Sequence, residues 1–126
     1  MHPEGLALLR ELTACHAAFK ALAAELRNTP GYGRVAHEFD LAESPEGIRF
    51  SEYVSPERAD ARWAYWRMDV VLAADGSARV EAEALGVAAD GGNLHQCFTP
   101  DALSAEAVAG GALAELARRV CGGRSA

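Results

Sequence analysis

The sequence predicts an α+β fold in which an N-terminal amphipathic helix, an antiparallel meander of about five strands and a C-terminal helix form one domain over residues 1–126. Apolar residues repeat with a helical period at both ends of the chain and with a period of two between them. No strand–helix–strand alternation indicates a parallel sheet. We therefore expect the helices to pack on one face of the meander.

The first helix is predicted from apolar residues spaced by three and four positions between Leu8 and Leu26, which places them on one stripe. Pro3 suits the first helical turn, and the sequence Asn-Thr-Pro-Gly at 28–31 ends the helix. We expect this stripe to be buried in the core. The predicted contacts join Leu12, Phe19 and Leu22 of the helix to Trp66, Met68 and Val70 of the sheet.

Alternating apolar and polar residues predict the first strand from Val35 to Leu41. A turn at 44–47 leads into a second strand from Ile48 to Val54, and the polar residues 55–60 are predicted to form a loop. His37 falls on the apolar face of its strand, where a neutral, hydrogen-bonded core histidine is expected.

The segment from Arg62 to Leu72 is rich in aromatic and β-branched residues, which favour a strand. It ends near Asp75-Gly76, a dipeptide typical of hairpin turns. The remaining elements are predicted by alternation and turn residues. They are a strand from Ala78 to Leu85, a turn at 90–93 and a short strand from Leu94 to Phe98.

The last helix is predicted to start at Thr99-Pro100-Asp101, because proline and an acid suit the first turn. Its apolar stripe runs from Val108 to Val120. Gly110-Gly111 is expected to bend or delay this helix.

The net charge of −6, from 18 acidic and 12 basic side chains, disfavours binding to nucleic acid or to an anionic membrane and favours a basic protein partner. Residues 1–27 lack the features of a secretory leader, and no apolar segment is long enough to span a bilayer. We therefore expect a cytoplasmic protein.

The sequence contains none of the motifs that bind nucleotide phosphates or carry zinc-protease and esterase chemistry. Its cysteines form no pattern typical of zinc ligands, and Cys15 and His16 point to different helix faces, so no metal or cofactor is predicted. His95 and Cys97 share a strand face but are too far apart for a direct hydrogen bond that would activate the thiol. A non-enzymatic domain is expected.

The aromatic strand carries the candidate binding surface. If Trp66 and Met68 face the helices, the period of two sends their neighbours to the opposite face. Tryptophan, tyrosine and arginine are enriched at binding hot spots. The predicted partner-binding residues are Trp63, Tyr65, Arg67, Asp69, Glu81 and Glu83. The alternative for Trp63 and Tyr65 is packing against neighbouring strands or under the loop at 55–60. The outward acids Glu38, Asp40, Glu81 and Glu83 could instead form a carboxylate pair for acid–base chemistry or simply a solvated face.

The second half of the chain resembles the TriTu-like immunity proteins that neutralise bacterial polymorphic toxins with ADP-ribosyltransferase activity. The resembling features are the strand from Arg67, the Asp75-Gly76 hairpin, the strand carrying Glu81, the Asp90-Gly91 turn and a terminal helix. The resemblance implies inhibition by surface complementarity, without catalytic residues.

Two other classes fit the same pattern of elements. A dimeric acidic secretion chaperone would use the first helix as a dimer seam in place of core cover. A cystatin-like or NTF2-like small-molecule-binding protein or enzyme would hold a pocket between helix and sheet, lined by inward polar residues such as His37 and Glu52.

Overall fold

The chain forms a helix, five strands and two shorter helices, as seen in a computed structural model that describes residues 3–60, 63–87 and 93–122. The elements follow the order that the sequence predicts. They are α1 (Pro3–Arg27), β1 (Tyr32–Ser44), β2 (Gly47–Arg58), β3 (Tyr65–Leu72), β4 (Ala78–Val87), β5 (Asn93–Cys97), α2 (Ala105–Ala109) and α3 (Ala112–Gly122). The predicted α+β class is therefore confirmed.

The five strands form one antiparallel sheet in the order β1-β2-β3-β4-β5, so each strand pairs with its neighbours in sequence. Helices α1 and α3 contact each other and lie on the same face of the sheet. In β3 every second residue is buried, from Trp66 to Leu72. The alternation predicted for the aromatic strand is confirmed, and it separates a face covered by helices from an uncovered one.

The apolar stripe of α1 is buried within the chain. Phe19 is fully buried and Leu22 nearly so, and both belong to one core cluster with Trp66 and Met68. Leu12 is partly buried against the same cluster. The first helix thus covers the sheet with the apolar stripe that the sequence also offered as a possible dimer seam.

Both predicted hairpins are present, one joining β1 to β2 and the other joining β3 to β4. Ser44 pairs with Gly47 at the first turn, where a Cβ on Gly47 would lie only 1.9 Å from the carbonyl oxygen of Leu72. At the second turn, the Asp75 carboxylate accepts hydrogen bonds from the backbone and hydroxyl of Ser77 at 2.9 and 2.6 Å. Gly76 adopts a φ of 87°, which glycine reaches without strain.

The prediction of a loop over residues 55–60 is wrong for residues 55–58, because β2 continues to Arg58. Pairing with β3 ends at Val54↔Trp66, whereas pairing with β1 continues as far as Tyr32↔Arg58. Pro56 therefore lies where β2 has no partner on its β3 side, a position at which a proline is tolerated.

The helix start predicted at 99–101 is also wrong. This segment is not helical, and Leu103 just after it exchanges backbone hydrogen bonds of 2.9 Å with Ala78 of β4. Helix α2 begins at Ala105, after Ser104 caps it by accepting a hydrogen bond from the backbone of Ala107. As predicted, Gly110-Gly111 interrupts the helix and separates α2 from α3.

Other predicted boundaries agree closely with the observed strands. The segment predicted from Arg62 begins its regular pairing at Tyr65, and Arg62 itself lies outside the described residues, as does most of the turn predicted at 90–93. Strand β1 is more exposed than predicted. It is an edge strand, and Phe39 and Leu41 on its helix-side face are 48% and 53% exposed.

Replacing Phe19 with alanine is expected to lower the free energy of unfolding by about 3–5 kcal/mol, because the ring is fully buried and the core cannot close the resulting cavity. Urea titration of the variant and the parent measures this change. The matched control is Leu9→Ala in the same helix, whose side chain is half exposed and whose loss is expected to cost less than about 1 kcal/mol. A change of similar size in both variants would contradict the buried stripe.

Candidate functional site

The uncovered face of the sheet, which we call the open face, carries the side chains that alternate with the core residues. On β2, β3 and β4 the cross-strand rows place Tyr53, Arg67 and Glu83 side by side, and Asp69 next to Glu81. Acids outnumber arginines on this face. Among the residues that the strand register pairs on this face, the acids are Glu38, Asp40, Asp69, Glu81 and Glu83, and the arginines are Arg49, Arg67 and Arg79.

Three aromatic rings cluster at one end of the open face. Tyr53 and Tyr65 stack with their ring centroids 6.0 Å apart, and Trp63 contacts Tyr65 with centroids 5.2 Å apart. Trp63 is 63% exposed, although the adjacent Ala64 is fully buried. The predicted aromatic surface is thus present, and packing on Tyr65 leaves most of the tryptophan accessible.

Arg67 lies at the centre of a network of carboxylates. Its Nε donates to Glu83 at 2.5 Å and its Nη1 donates to Asp69 at 2.5 Å, while Glu81 lies 3.7 Å from Nη1. Arg67 is a predicted partner-binding residue, but its Nε and Nη1 atoms already bind acids of the same sheet. Arg67 therefore orders its neighbours.

Glu83 is the residue that joins this network to the rest of the open face. It accepts hydrogen bonds from His95 at 2.6 Å, from Arg67, and from the Tyr65 hydroxyl at 2.9 Å. The hydrogen bonds from His95 and Arg67 are the main reason that the pKa of Glu83 is lowered to about 2. Glu83 is thus a carboxylate held in place on three sides.

Cys97 lies opposite Glu83 on β5 and is exposed. His95 binds Glu83, in agreement with the prediction that the imidazole does not activate the thiol. Hydrogen bonds from Thr99, which the sequence analysis did not foresee, lower the pKa of Cys97. Burial raises the pKa of Cys15 to about 12, so that thiol is far less reactive.

A second polar cluster lies on the helix side of the sheet. The His16 Nδ1 atom lies 3.0 Å from both carboxylate oxygens of Glu52, and the His37 Nε2 atom lies 2.8 Å from one of them. The Glu52 side chain is fully buried, whereas His37 is 14% and His16 43% exposed. The two imidazoles stack, and Phe39 packs edge-on against His16.

The sequence predicts only part of this cluster. The predicted hydrogen bonding of His37 is confirmed, and Glu52 points inward as predicted. His16 is not predicted from the sequence, because its place beside a strand residue 36 positions away depends on how α1 packs on the sheet. The available signal was a lone acid, Glu52, between the apolar residues Phe50 and Val54 on one strand face.

A cavity of about 720 Å³ opens at the end of the sheet, between the start of α1, helix α2 and the turns at 44–47 and 73–76. Neither His37 nor Glu52 lines it. His37 and Glu52, the inward polar residues named for a small-molecule pocket, hydrogen-bond to each other.

Glu83 is expected to make stability depend on pH. Because its pKa is about 2 in the folded chain and 4.5 by its ordinary value, its stabilising effect is complete above pH 4.5 and is lost as the pH falls towards 2. Glu83→Gln is expected to reduce the loss of unfolding free energy over this interval by about 2 kcal/mol. The matched control, Glu81→Gln, removes a largely exposed acid and is expected to leave the pH dependence nearly unchanged. Urea titrations at several pH values measure both, and equal pH dependence in the parent and Glu83→Gln would contradict the network.

No protein-family model matches the chain, and comparisons with curated proteins and with solved structures find no significant match. Among the described residues, no helix is both long enough and apolar enough to cross a membrane.

Proposed function

We propose that this domain acts without catalysis, by binding a protein with a basic surface through the open face of its sheet. The partner in this proposal is a bacterial toxin, which the domain neutralises by occluding it in the cytoplasm, as an immunity protein does. The observation that carries the proposal is the exposed aromatic cluster around Trp63, which adjoins an ordered group of carboxylates.

The aromatic cluster supplies apolar contact area to a partner. Trp63 is exposed over 63% of its surface and is steadied by contact with Tyr65, which in turn stacks on Tyr53. A side chain that is already ordered loses little conformational entropy when it binds. Large aromatic residues placed in this way are typical anchors of protein interfaces.

The charges around the cluster support a basic partner. Glu81 is 72% exposed on its side chain, and Asp69 is 30% exposed. Carboxylates of this kind steer a positively charged protein towards the surface and accelerate association. The net charge of −6 adds to this effect at longer range.

The toxin-neutralising role rests on the resemblance of the second half of the chain together with this surface. The direct test is co-expression with the protein encoded by the adjacent upstream gene, followed by measurement of growth. Rescue of growth by the parent domain, and its loss in Trp63→Ala, is the expected result. An adjacent effector gene whose product needs the domain for secretion would instead support the chaperone class.

Trp63→Ala and Tyr65→Ala are each expected to weaken the complex by about 2 kcal/mol or more, because each removes an interface anchor. Trp63→Ala is expected to change the free energy of unfolding of the unbound domain by less than about 0.5 kcal/mol, since its side chain is largely exposed. Calorimetry of binding and urea titration on the same proteins provide the two numbers. Rising salt is expected to slow association more than it hastens dissociation.

The matched control for this surface is Leu41→Ala, which truncates a side chain that is 53% exposed on the other face of the sheet. It is expected to leave the affinity unchanged. Parental affinity in Trp63→Ala, or unfolding of that variant, would show that the aromatic cluster is packing and that the interface lies elsewhere.

Cys97→Ser is expected to retain full binding and full protection of growth. The exposed thiol has a lowered pKa, but inhibition by occlusion requires no nucleophile. The measurement is the same pair of assays, after circular dichroism has verified the fold. Loss of protection in a folded Cys97→Ser protein that still binds its partner would contradict the non-enzymatic proposal.

A further inference from the structure

We propose that His16, His37 and Glu52 form a binding site for one divalent transition-metal ion, of the kind that prefers imidazole and carboxylate ligands, with zinc as the representative. The site lies on the helix side of the sheet and is separate from the open face. The sequence analysis predicts no metal, so this inference arises from side chains that the fold brings together.

The three donor atoms lie close enough together to converge on one ion. His16 Nδ1 and His37 Nε2 lie 3.0 and 2.8 Å from the Glu52 carboxylate, and all three donors fall within 4.8 Å of one another. Ligands bound to zinc at about 2.0–2.2 Å are separated by roughly 3–4 Å. The donors, which lie up to 4.8 Å apart, must therefore close in by up to about 1 Å to surround one ion.

The ligand types indicate which ions fit. Two imidazoles and one carboxylate suit zinc, iron, cobalt, nickel and copper, whereas calcium and magnesium prefer sites made only of oxygen ligands. Three protein ligands also leave a coordination position for water. Because His16 is 43% exposed, solvent can reach that position.

Burial of the Glu52 carboxylate favours the binding of a cation. A carboxylate that is fully removed from water must be compensated by hydrogen bonds or by positive charge. Without a metal, both imidazoles direct a nitrogen at the same carboxylate and supply hydrogen bonds. A divalent cation held between the three groups supplies the positive charge directly.

Metal binding requires a change of tautomer but no change of fold. In the metal-free chain, an N–H at His16 Nδ1 or His37 Nε2 donates a hydrogen bond to Glu52. To bind the metal, the same nitrogen must present a lone pair, and the ring proton moves to the other nitrogen of that imidazole. No described residue hydrogen-bonds that other nitrogen in either histidine. The proton can therefore be carried by water.

The ion would join three elements that are distant in sequence. His16 belongs to α1, His37 to the edge strand β1 and Glu52 to β2. Since the three ligands come together only in the folded chain, the ion binds the folded state in preference to the unfolded one. Zinc is therefore expected to raise the melting temperature of the domain.

The experiment titrates zinc chloride into the chelator-treated, dialysed domain by calorimetry, in a Cys97→Ser background that removes the exposed thiol. One ion per chain is the expected stoichiometry. His16→Ala is expected to lower the affinity at least about tenfold, because even the loss of an outer-sphere partner has an effect of that size. Cobalt absorption spectra and the imidazole NMR signals of His16 and His37 identify the ligands independently.

The matched control is His95→Ala, which removes the imidazole of another histidine–carboxylate pair, 2.6 Å from Glu83, on the open face. It is expected to bind zinc as the parent does. Absence of zinc binding at micromolar concentrations in the Cys97→Ser domain would overturn the proposal. So would zinc binding that survives both His16→Ala and His37→Ala, or that is lost in His95→Ala.

Discussion

Because helices cover only one face of this single sheet, each strand must satisfy two environments with alternate residues. In β3 the register buries Trp66 and Met68 and sends Tyr65 and Arg67 to the uncovered face. The same register aligns Arg67 with Glu83 on the next strand. The core and the candidate binding surface are thus fixed together, and a slip of one residue would destroy both.

Glu52 is an exception to the rule that alternation buries apolar residues, because it is a charged residue on the covered face. The register that buries Phe50 and Val54 also commits Glu52 to the covered face, beside Met68. A buried carboxylate at that position is tolerated only because groups from other elements reach it. The packing of α1 against the edge of the sheet is therefore constrained by chemistry as well as by apolar burial.

Local pattern was sufficient to predict most of the fold. Period and turn residues predict the class, the order of elements, the β1–β2 and β3–β4 hairpins and the two faces of β3. The errors fall where non-local pairing decides the outcome. Residues 55–58 extend β2 because β1 continues beside them, and the segment before Ser104 is not helical because Leu103 pairs with Ala78. Neither partner can be recognised from the local sequence.

The two candidate sites differ in the same respect, because one depends on local contacts and the other on a non-local contact. The open-face residues lie on adjacent strands of a meander, so periodicity and hairpin register are enough to predict that they lie together. The link from His16 to Glu52 joins a helix to a strand across 36 positions. The His16–Glu52 contact depends on how far α1 is rotated about its own axis. The apolar stripe of α1 sets this rotation only approximately.

The ordering of the open face by Arg67 has a consequence for recognition. Its guanidinium neutralises part of the charge of Asp69 and Glu83, which lowers the attraction of these acids for a basic partner. In return, both carboxylates are fixed before binding, so little side-chain entropy remains to be lost. Glu81 lies 3.7 Å from the same guanidinium but stays largely exposed. In the complex proposed for this face, a rigid polar centre and a rigid aromatic edge would act beside a more accessible acid, an arrangement that favours shape and position over net charge in selecting a partner.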